Sequence, residues 1–139
     1  MIRRDKLDAI FSTLVRERAG FHCEACGKYF PEGQRQGLHC SHFFGRRHKS
    51  VRWAPLNAFS HCYACHQRFG ESPYAFTRWV EARIGPREME LLTERAHGVV
   101  KLTKADKEDI YTHMKAQLEI MKAKRAQGWM GRIEFEDPL

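Results

Sequence analysis

The sequence predicts an α+β fold, with short extended segments in its first half and helices in the rest. Two Cys-x-x-Cys pairs frame residues 23–65, and between them residues 38–44 and 51–61 are predicted to be extended. Apolar residues recur at helical spacing in residues 4–19 and again after residue 72. The chain has 139 residues, of which 42% are hydrophobic, so one domain can bury a core.

The first half is predicted to run from a helix through two extended segments into another helix. Gly20 ends the first helix, and Gly27 allows a tight turn after the first cysteine pair. Pro55 interrupts the second extended segment. In order, the elements expected are a helix at 4–19, a knuckle at 21–30, a strand at 38–44, a basic loop at 45–50, an extended segment at 51–61 and a helix from about Cys62.

The second half is predicted to be helical. Ser72-Pro73 and Gly85-Pro86 suit helix boundaries, and Thr103 with Asp106 resembles a capping box at the start of a long helix. Alternating residues at 132–136 predict a terminal strand. We expect three parts: an N-terminal helix at 1–20, a core at 21–72, and a helical extension at 73–139 that packs on the core or forms an oligomer interface.

Four of the five cysteines form the two Cys-x-x-Cys pairs. In a chain without a secretion signal, two such pairs predict one tetrahedral zinc site of four thiolates rather than disulfides. The alternative is that one pair is redox-active or that both pairs are merely buried. Cys40 is left over and is expected to be a small buried residue. The predicted zinc ligands are Cys23, Cys26, Cys62 and Cys65.

The net charge of +7 lies entirely in the first half. Residues 1–70 carry 12 Lys and Arg against 5 Asp and Glu, whereas residues 71–139 carry 12 of each kind. This distribution suggests a polyanionic partner, most often nucleic acid, and the alternative is a merely basic surface. No segment is long and apolar enough to span a membrane, and the N-terminal residues do not resemble a signal peptide. We therefore expect a cytoplasmic protein with no membrane partner.

Three polar residues complete a recognisable order around the cysteine pairs. His42 follows the first pair, Asn57 precedes the second pair, and His66 directly follows Cys65. Each alone has an ordinary explanation. His42 could be a satisfied or exposed histidine, Asn57 a turn residue, and His66 a helix-surface residue or an alternative zinc ligand. Together, on a strand, a loop and a helix, they match the layout of a ββα-metal nuclease, in which zinc staples the hairpin and helix together.

The chain resembles the HNH endonucleases (ββα-metal or His-Me finger nucleases), with His42, Asn57 and His66 at the three motif positions. More narrowly, it resembles the lambda-type phage NinG/Rap recombination endonuclease family, over roughly residues 21–95. This narrower resemblance is carried by Ser-His-Phe-Phe at 41–44, Val-Arg-Trp-Ala-Pro-Leu-Asn at 51–57, His-Cys-Tyr-Ala-Cys-His at 61–66, Gly-Glu-Ser-Pro-Tyr at 70–74 and Glu-Ala-Arg-Ile-Gly at 81–85. It implies a DNA endonuclease that acts on branched recombination intermediates such as junctions or flaps.

The resemblance implies a role for each motif residue. His42 takes a proton from the attacking water, and His66 binds a catalytic divalent ion, Mg²⁺ or Mn²⁺, while Zn²⁺ is structural. Asn57 fixes the loop and orients His42 through hydrogen bonds. No small-molecule cofactor is implied.

One position departs from the pattern of many HNH enzymes. They carry Asp or His directly before the general base as a second metal ligand, whereas this chain has Ser41, a poor ligand for a hard cation. His39 could substitute, but strand alternation places it on the face opposite His42, so we expect a structural role for it. Ser41 lowers the expected metal affinity without excluding catalysis.

The basic loop and its neighbours are the predicted DNA contacts. Arginine pairs bidentately with phosphate oxygens, and such contacts position DNA without reading its sequence. The alternative is a solvated basic loop. The predicted DNA-binding residues are Arg46, Arg47, Lys49, Arg52 and Arg68.

Other functions stay open. One is an HNH nuclease for nicking, homing or restriction, although the short chain offers no separate sequence-reading domain. Another is a non-catalytic zinc-binding module that holds nucleic acid or a protein, and a third is an adaptor that uses the helical half. A homodimer would supply the two active sites that paired cuts at a branch need.

Overall fold

The structure is a computed structural model, which describes residues 2–34 and 37–139. Within these residues the fold is α+β, as the sequence predicts, with five α-helices and one two-stranded antiparallel sheet. A short 3₁₀ helix, Pro55–Asn57, precedes the second strand. The other elements are α1 (Lys6–Arg18), β1 (Leu38–His42), β2 (Ala58–Cys62), α2 (Tyr63–Glu71), α3 (Pro73–Ile84), α4 (Pro86–His97) and α5 (Lys104–Ala126).

The first and last helices have the same kind of cap and share the main core. At the start of α1, the Asp5 side chain accepts from the Asp8 N–H, and the Asp8 side chain accepts from the Asp5 N–H. Thr103 and Asp106 form the predicted capping box of α5. The buried residues of this core are Leu7, Phe11, Leu14, Val15, Trp53, Ala58, Ile110, Met114, Leu118, Met121, Ile133 and Phe135.

The two strands pair in antiparallel register, from Leu38 opposite Cys62 to His42 opposite Ala58. The prediction of an extended segment from residue 51 is wrong for residues 51–57. Successive turns fill this stretch, because backbone N–H groups bond carbonyls three residues earlier. Pro55 lacks an N–H and fits the first position of the 3₁₀ helix. The second strand therefore begins only at Ala58.

The C-terminal segment runs along the core without forming a strand. The predicted strand at 132–136 is wrong, since no described strand lies beside it. A single backbone hydrogen bond joins it to α1, from the Ile133 N–H to the Arg18 carbonyl (3.1 Å). The alternation has another cause, because Ile133 and Phe135 are buried in the core between α1 and α5 while their neighbours are exposed.

Two smaller apolar clusters lie apart from the main core. One joins the cysteine region to α2 and α3 around Phe69, and the other joins the turns at 51–54 to α4 around Leu92. The boundary between α3 and α4 is Gly85, whose φ of +91° suits a residue without a Cβ. None of the described helices is long and apolar enough to cross a membrane.

Candidate metal centre and histidine groove

Four cysteines from two parts of the chain form one compact cluster. The sulfur atoms of Cys23, Cys26, Cys62 and Cys65 all lie within 4.8 Å of one another. The first pair lies in a tight turn, where the Gly27 N–H donates to the Cys23 carbonyl (2.8 Å). The second pair spans the end of β2 and the first turn of α2. The cluster could hold a tetrahedral metal ion such as zinc.

The acidities of the thiols differ across the cluster. Burial alone would raise the pKa of Cys23, but N–H groups of Cys26, Cys62 and Ala25 lower it to about 7. Burial and hydrogen bonds with neighbouring thiols raise the pKa of Cys65 to about 12. Four thiolates at this spacing repel one another, so they deprotonate together only around a cation. The donor set therefore fits a soft dication.

Glu24 ties the first cysteine turn to the rest of the fold. Its N–H donates to the Ser60 carbonyl (2.7 Å), and its carboxylate accepts from the Ser60 N–H (2.7 Å). The same buried carboxylate pairs with Arg18 of α1 (3.7 Å), Arg83 of α3 (2.9 Å) and Arg132 of the C-terminal segment (2.7 Å). Burial opposes ionisation, but Arg18 and the other donors outweigh it and lower the pKa of Glu24.

A groove of about 830 Å³ runs beside α1, β1 and the start of α2. His42 and His66, two of the three predicted motif residues, both line it. The loop at 32–34 forms part of its wall. The ionisable side chains that line the groove, other than Cys40, are Arg4, Asp8, Arg16, Glu32, His39, His42, Arg46 and His66.

His42 lies at the end of β1 with its ring against Phe11 of α1, with 5.6 Å between the ring centres. Its Nε2 lies 2.9 Å from the backbone carbonyl oxygen of Arg52. Because a carbonyl only accepts, Nε2 carries the proton and Nδ1 keeps a lone pair in the neutral ring. Burial lowers the pKa of His42, so the neutral form predominates at pH 7.

The His66 ring is held from two sides. Its Nδ1 lies 2.7 Å from the Oγ of buried Ser41, and the His39 ring stacks parallel to it at 4.9 Å. When Nδ1–H donates to Ser41, Nε2 is free to bind an ion. His39 and Ser41 face His66 while His42 faces α1, as strand alternation predicts. His39 and His42 nevertheless line the same groove.

Asn57 is fully buried and lies outside the lining of the groove. Its Nδ2 donates to the carbonyls of Phe44 (2.9 Å) and Val51 (3.0 Å), and its Oδ1 accepts from the Phe44 N–H (2.8 Å). These three bonds hold both ends of the basic loop. Among the described residues, no hydrogen bond joins the Asn57 side chain to His42, so any effect on His42 passes through the backbone.

The predicted DNA-binding residues divide into two groups. Four reach solvent or the groove: Arg46, Arg47, Lys49 and Arg68. Arg52 is instead buried, and its Nε and Nη2 donate to the Asp8 carboxylate at 2.9 Å and 2.5 Å. The structure corrects the prediction of a DNA contact for Arg52, because its charge is neutralised inside the protein.

Sequence reasoning missed four charged residues of the groove: Arg4, Asp8, Arg16 and Glu32. Asp8 accepts from Arg52 and from the Trp53 indole N–H (3.0 Å), so it holds the segment whose carbonyl meets His42. Asp8, Ser12 and Arg16 follow one another at four-residue steps, which puts them on one side of α1, and this signal was present in the sequence. The sequence did not show which part of the fold this face of α1 meets.

His61, next to Cys62, is fully buried among aromatic rings and lies outside the groove lining. The Trp79 ring is 4.7 Å away, and neither ring nitrogen of His61 has a hydrogen-bond partner among the described residues. Burial lowers its pKa to about 4, so it packs as a neutral ring.

Comparison of the chain with protein-family models, with curated proteins and with solved structures finds no match. The function is therefore inferred from the cysteine cluster and the histidine groove.

Proposed function

We propose that the protein is a zinc-stabilised, metal-dependent DNA endonuclease of the HNH type that cuts branched DNA. One observation carries the proposal. A neutral histidine with a fixed tautomer, His42, shares a groove with a second histidine, His66, whose Nδ1 is already bound. Arginines line the same groove, so an anionic substrate would meet both histidines.

Zinc at the cysteine cluster would hold the reaction groove in shape. Cys62 ends β2, Cys65 lies in the first turn of α2, and His66 is the next residue. A closed four-thiolate site contributes directly to folding. Cys62 and Cys65 would then hold the start of α2, and with it His66, beside β1.

His42 is the proposed general base. The Arg52 carbonyl fixes the proton on Nε2, so Nδ1 can take a proton from water as the water oxygen attacks phosphorus. The P–O3′ bond then breaks. The products are a 5′-phosphate and, once the leaving oxygen has gained a proton from water, a 3′-hydroxyl. The lowered pKa keeps His42 able to act at neutral pH.

His66 is the proposed protein ligand of a divalent ion, Mg²⁺ or Mn²⁺, through Nε2. Such an ion supplies Lewis-acid stabilisation to the scissile phosphate and the leaving oxygen. Ser41 orients the ring through Nδ1 and does not itself need to bind the ion. The hydroxyl at this position therefore has a use in the proposed site even though it is a poor ligand.

The exposed part of the basic loop, with Arg47 and Lys49, extends the positive surface from the groove. Contacts of this kind bind the phosphate backbone and do not distinguish bases. This suits selection of DNA by shape. A non-catalytic binding module is the second candidate, and Ser41 favours it, since it leaves His66 without an adjacent carboxylate ligand from β1.

The test is cleavage of labelled four-way junction, flap and plain duplex DNA, with and without added Mg²⁺ or Mn²⁺. We expect cutting that needs the added ion and that is lost in His42→Ala and His66→Ala. His113→Ala is the matched control, because His113 bonds the Glu136 carbonyl (3.0 Å) and does not line the groove. Tight, salt-sensitive DNA binding without cleavage by the unaltered protein would refute the nuclease and support the binding module.

A further inference from the structure

We propose that Arg16, assisted by Arg4, forms a phosphate subsite in the groove that seats the backbone of a DNA strand beside His42. The identification of the anion as DNA rests on the proposed function. The subsite itself rests on the environment of the Arg16 side chain. Neither residue belongs to the basic loop that the sequence singles out.

Arg16 is held in a fixed position on the groove side of α1. Its Nη1 donates to the Ser12 hydroxyl, and its Nη2 lies 3.4 Å from the Thr13 hydroxyl. Ser12, Thr13 and Arg16 all line the groove. A guanidinium pre-positioned by neighbouring hydroxyls loses little conformational freedom when it binds a ligand.

Asp8 and Glu32 also line the groove, but Arg16 forms no ion pair with a carboxylate in the described part of the chain. The two buried arginines, Arg18 and Arg52, each have a carboxylate within 4 Å, whereas no described carboxylate lies that close to Arg16 or Arg4. Burial and the nearby Arg4 charge lower the pKa of Arg16, but a guanidinium stays protonated. An uncompensated, half-buried cation is unfavourable alone and is stabilised when an anion enters.

A phosphodiester matches this site in charge and in shape. The planar guanidinium can donate two parallel hydrogen bonds to two phosphate oxygens. Arg16, His42 and His66 all line this groove, so a strand held at Arg16 would lie in the groove that both histidines reach. Arg46 is less available, because its Nη1 lies 3.7 Å from the Asp8 carboxylate.

The test measures binding rather than cleavage, using a labelled four-way junction, a His42→Ala background and no added Mg²⁺ or Mn²⁺. We expect Arg16→Gln to weaken binding about tenfold and to reduce the slope of log K against log salt by about 1. Arg87→Gln is the matched control, because it removes the same charge from an exposed position on α4 outside the groove. Equal affinities and equal salt slopes for the two variants would overturn the subsite.

A second variant distinguishes loss of the subsite from unfolding of the Arg16→Gln protein. Thr13→Asp places a carboxylate beside Arg16 and neutralises it in place. We expect this variant to melt no lower than the unaltered protein and to bind the junction at least as weakly as Arg16→Gln. Binding as tight as that of the unaltered protein would count against the proposal.

Competition separates a strand site from a site for free anions. We expect an unlabelled oligonucleotide to displace the labelled junction, and inorganic phosphate at equal phosphate concentration to displace little. Equal displacement by inorganic phosphate would overturn the proposal that the subsite holds a DNA strand. A protein that binds DNA through Arg16 but cuts none would leave the subsite standing while the nuclease fails.

Discussion

Replacement of Asp8 tests how much the buried contacts of Asp8 with Arg52 and Trp53 stabilise the fold. The Asp8 side chain is 4% exposed and that of its partner Arg52 is 9% exposed. Asp8→Ala would leave the buried Arg52 guanidinium with only the Asp5 carboxylate, which is 3.7 Å away and 39% exposed. It would also leave the Trp53 N–H (3.0 Å from Asp8) without an acceptor. Removing one partner of a buried ion pair costs about 3–5 kcal/mol.

The acidity of Asp8 gives a second measure of the same interaction. Burial alone would raise its pKa, but the hydrogen bonds from Arg52 dominate and lower the pKa from 3.8 to about 2. A lowering of this size favours the carboxylate over the neutral acid by about 2–3 kcal/mol. We therefore expect Asp8→Asn, which keeps the shape but not the charge, to cost about 2–3 kcal/mol and Asp8→Ala to cost more.

The assay is urea unfolding followed by tryptophan fluorescence in the presence of excess zinc. Asp137→Asn is the control, because its partner Arg95 and Asp137 have side chains that are 35% and 31% exposed. Pairs at such positions contribute at most about 1 kcal/mol. If Asp8→Ala lowers the free energy of unfolding no more than Asp137→Asn does, the buried contacts of Asp8 do not stabilise the fold as argued.

Three further predictions follow from the metal centre, the loop and the base. Cys62→Ser should lose bound zinc by elemental analysis, whereas Cys40→Ala, outside the cluster, should keep one zinc per chain; equal zinc contents would contradict the site. Asn57→Ala should lower the free energy of unfolding by about 3 kcal/mol, since three backbone groups lose a buried partner. The control Gln117→Ala should change the free energy of unfolding little, because the Gln117 bond to the Glu136 N–H is exposed. Because a base acts above its pKa and burial lowers the pKa of His42, the acidic limb of kcat/KM should have its midpoint below pH 6.5; a midpoint above 6.5 would exclude a buried His42 as the base.

The sequence predicts the elements whose boundaries are set by local chemistry. The helix starts at Pro73 and Pro86 and the Thr103 cap of α5 are confirmed, because a cap or a proline acts within one turn. The proximity of the four cysteines is also confirmed, since a Cys-x-x-Cys spacing predicts a shared site even when a long segment separates the pairs.

The errors arise where distant contacts decide the outcome. Residues 132–136 alternate like a strand, but their partner is the core beside α1 rather than another strand. Arg52 looks like a surface arginine in sequence, and only the fold brings Asp8 to it. In the same way, helical spacing alone could not show that the Arg16 face of α1 meets the histidines.

The carboxylate of Glu24 connects the cysteine region to three distant parts of the chain. Its arginine partners come from α1, from α3 and from a segment 108 residues further along the sequence. Closing so long a loop costs conformational entropy that only these contacts offset. Metal binding and attachment of the C-terminal segment should therefore be one cooperative event. Ending the chain at residue 131 should lower the affinity for zinc although it removes no cysteine of the cluster.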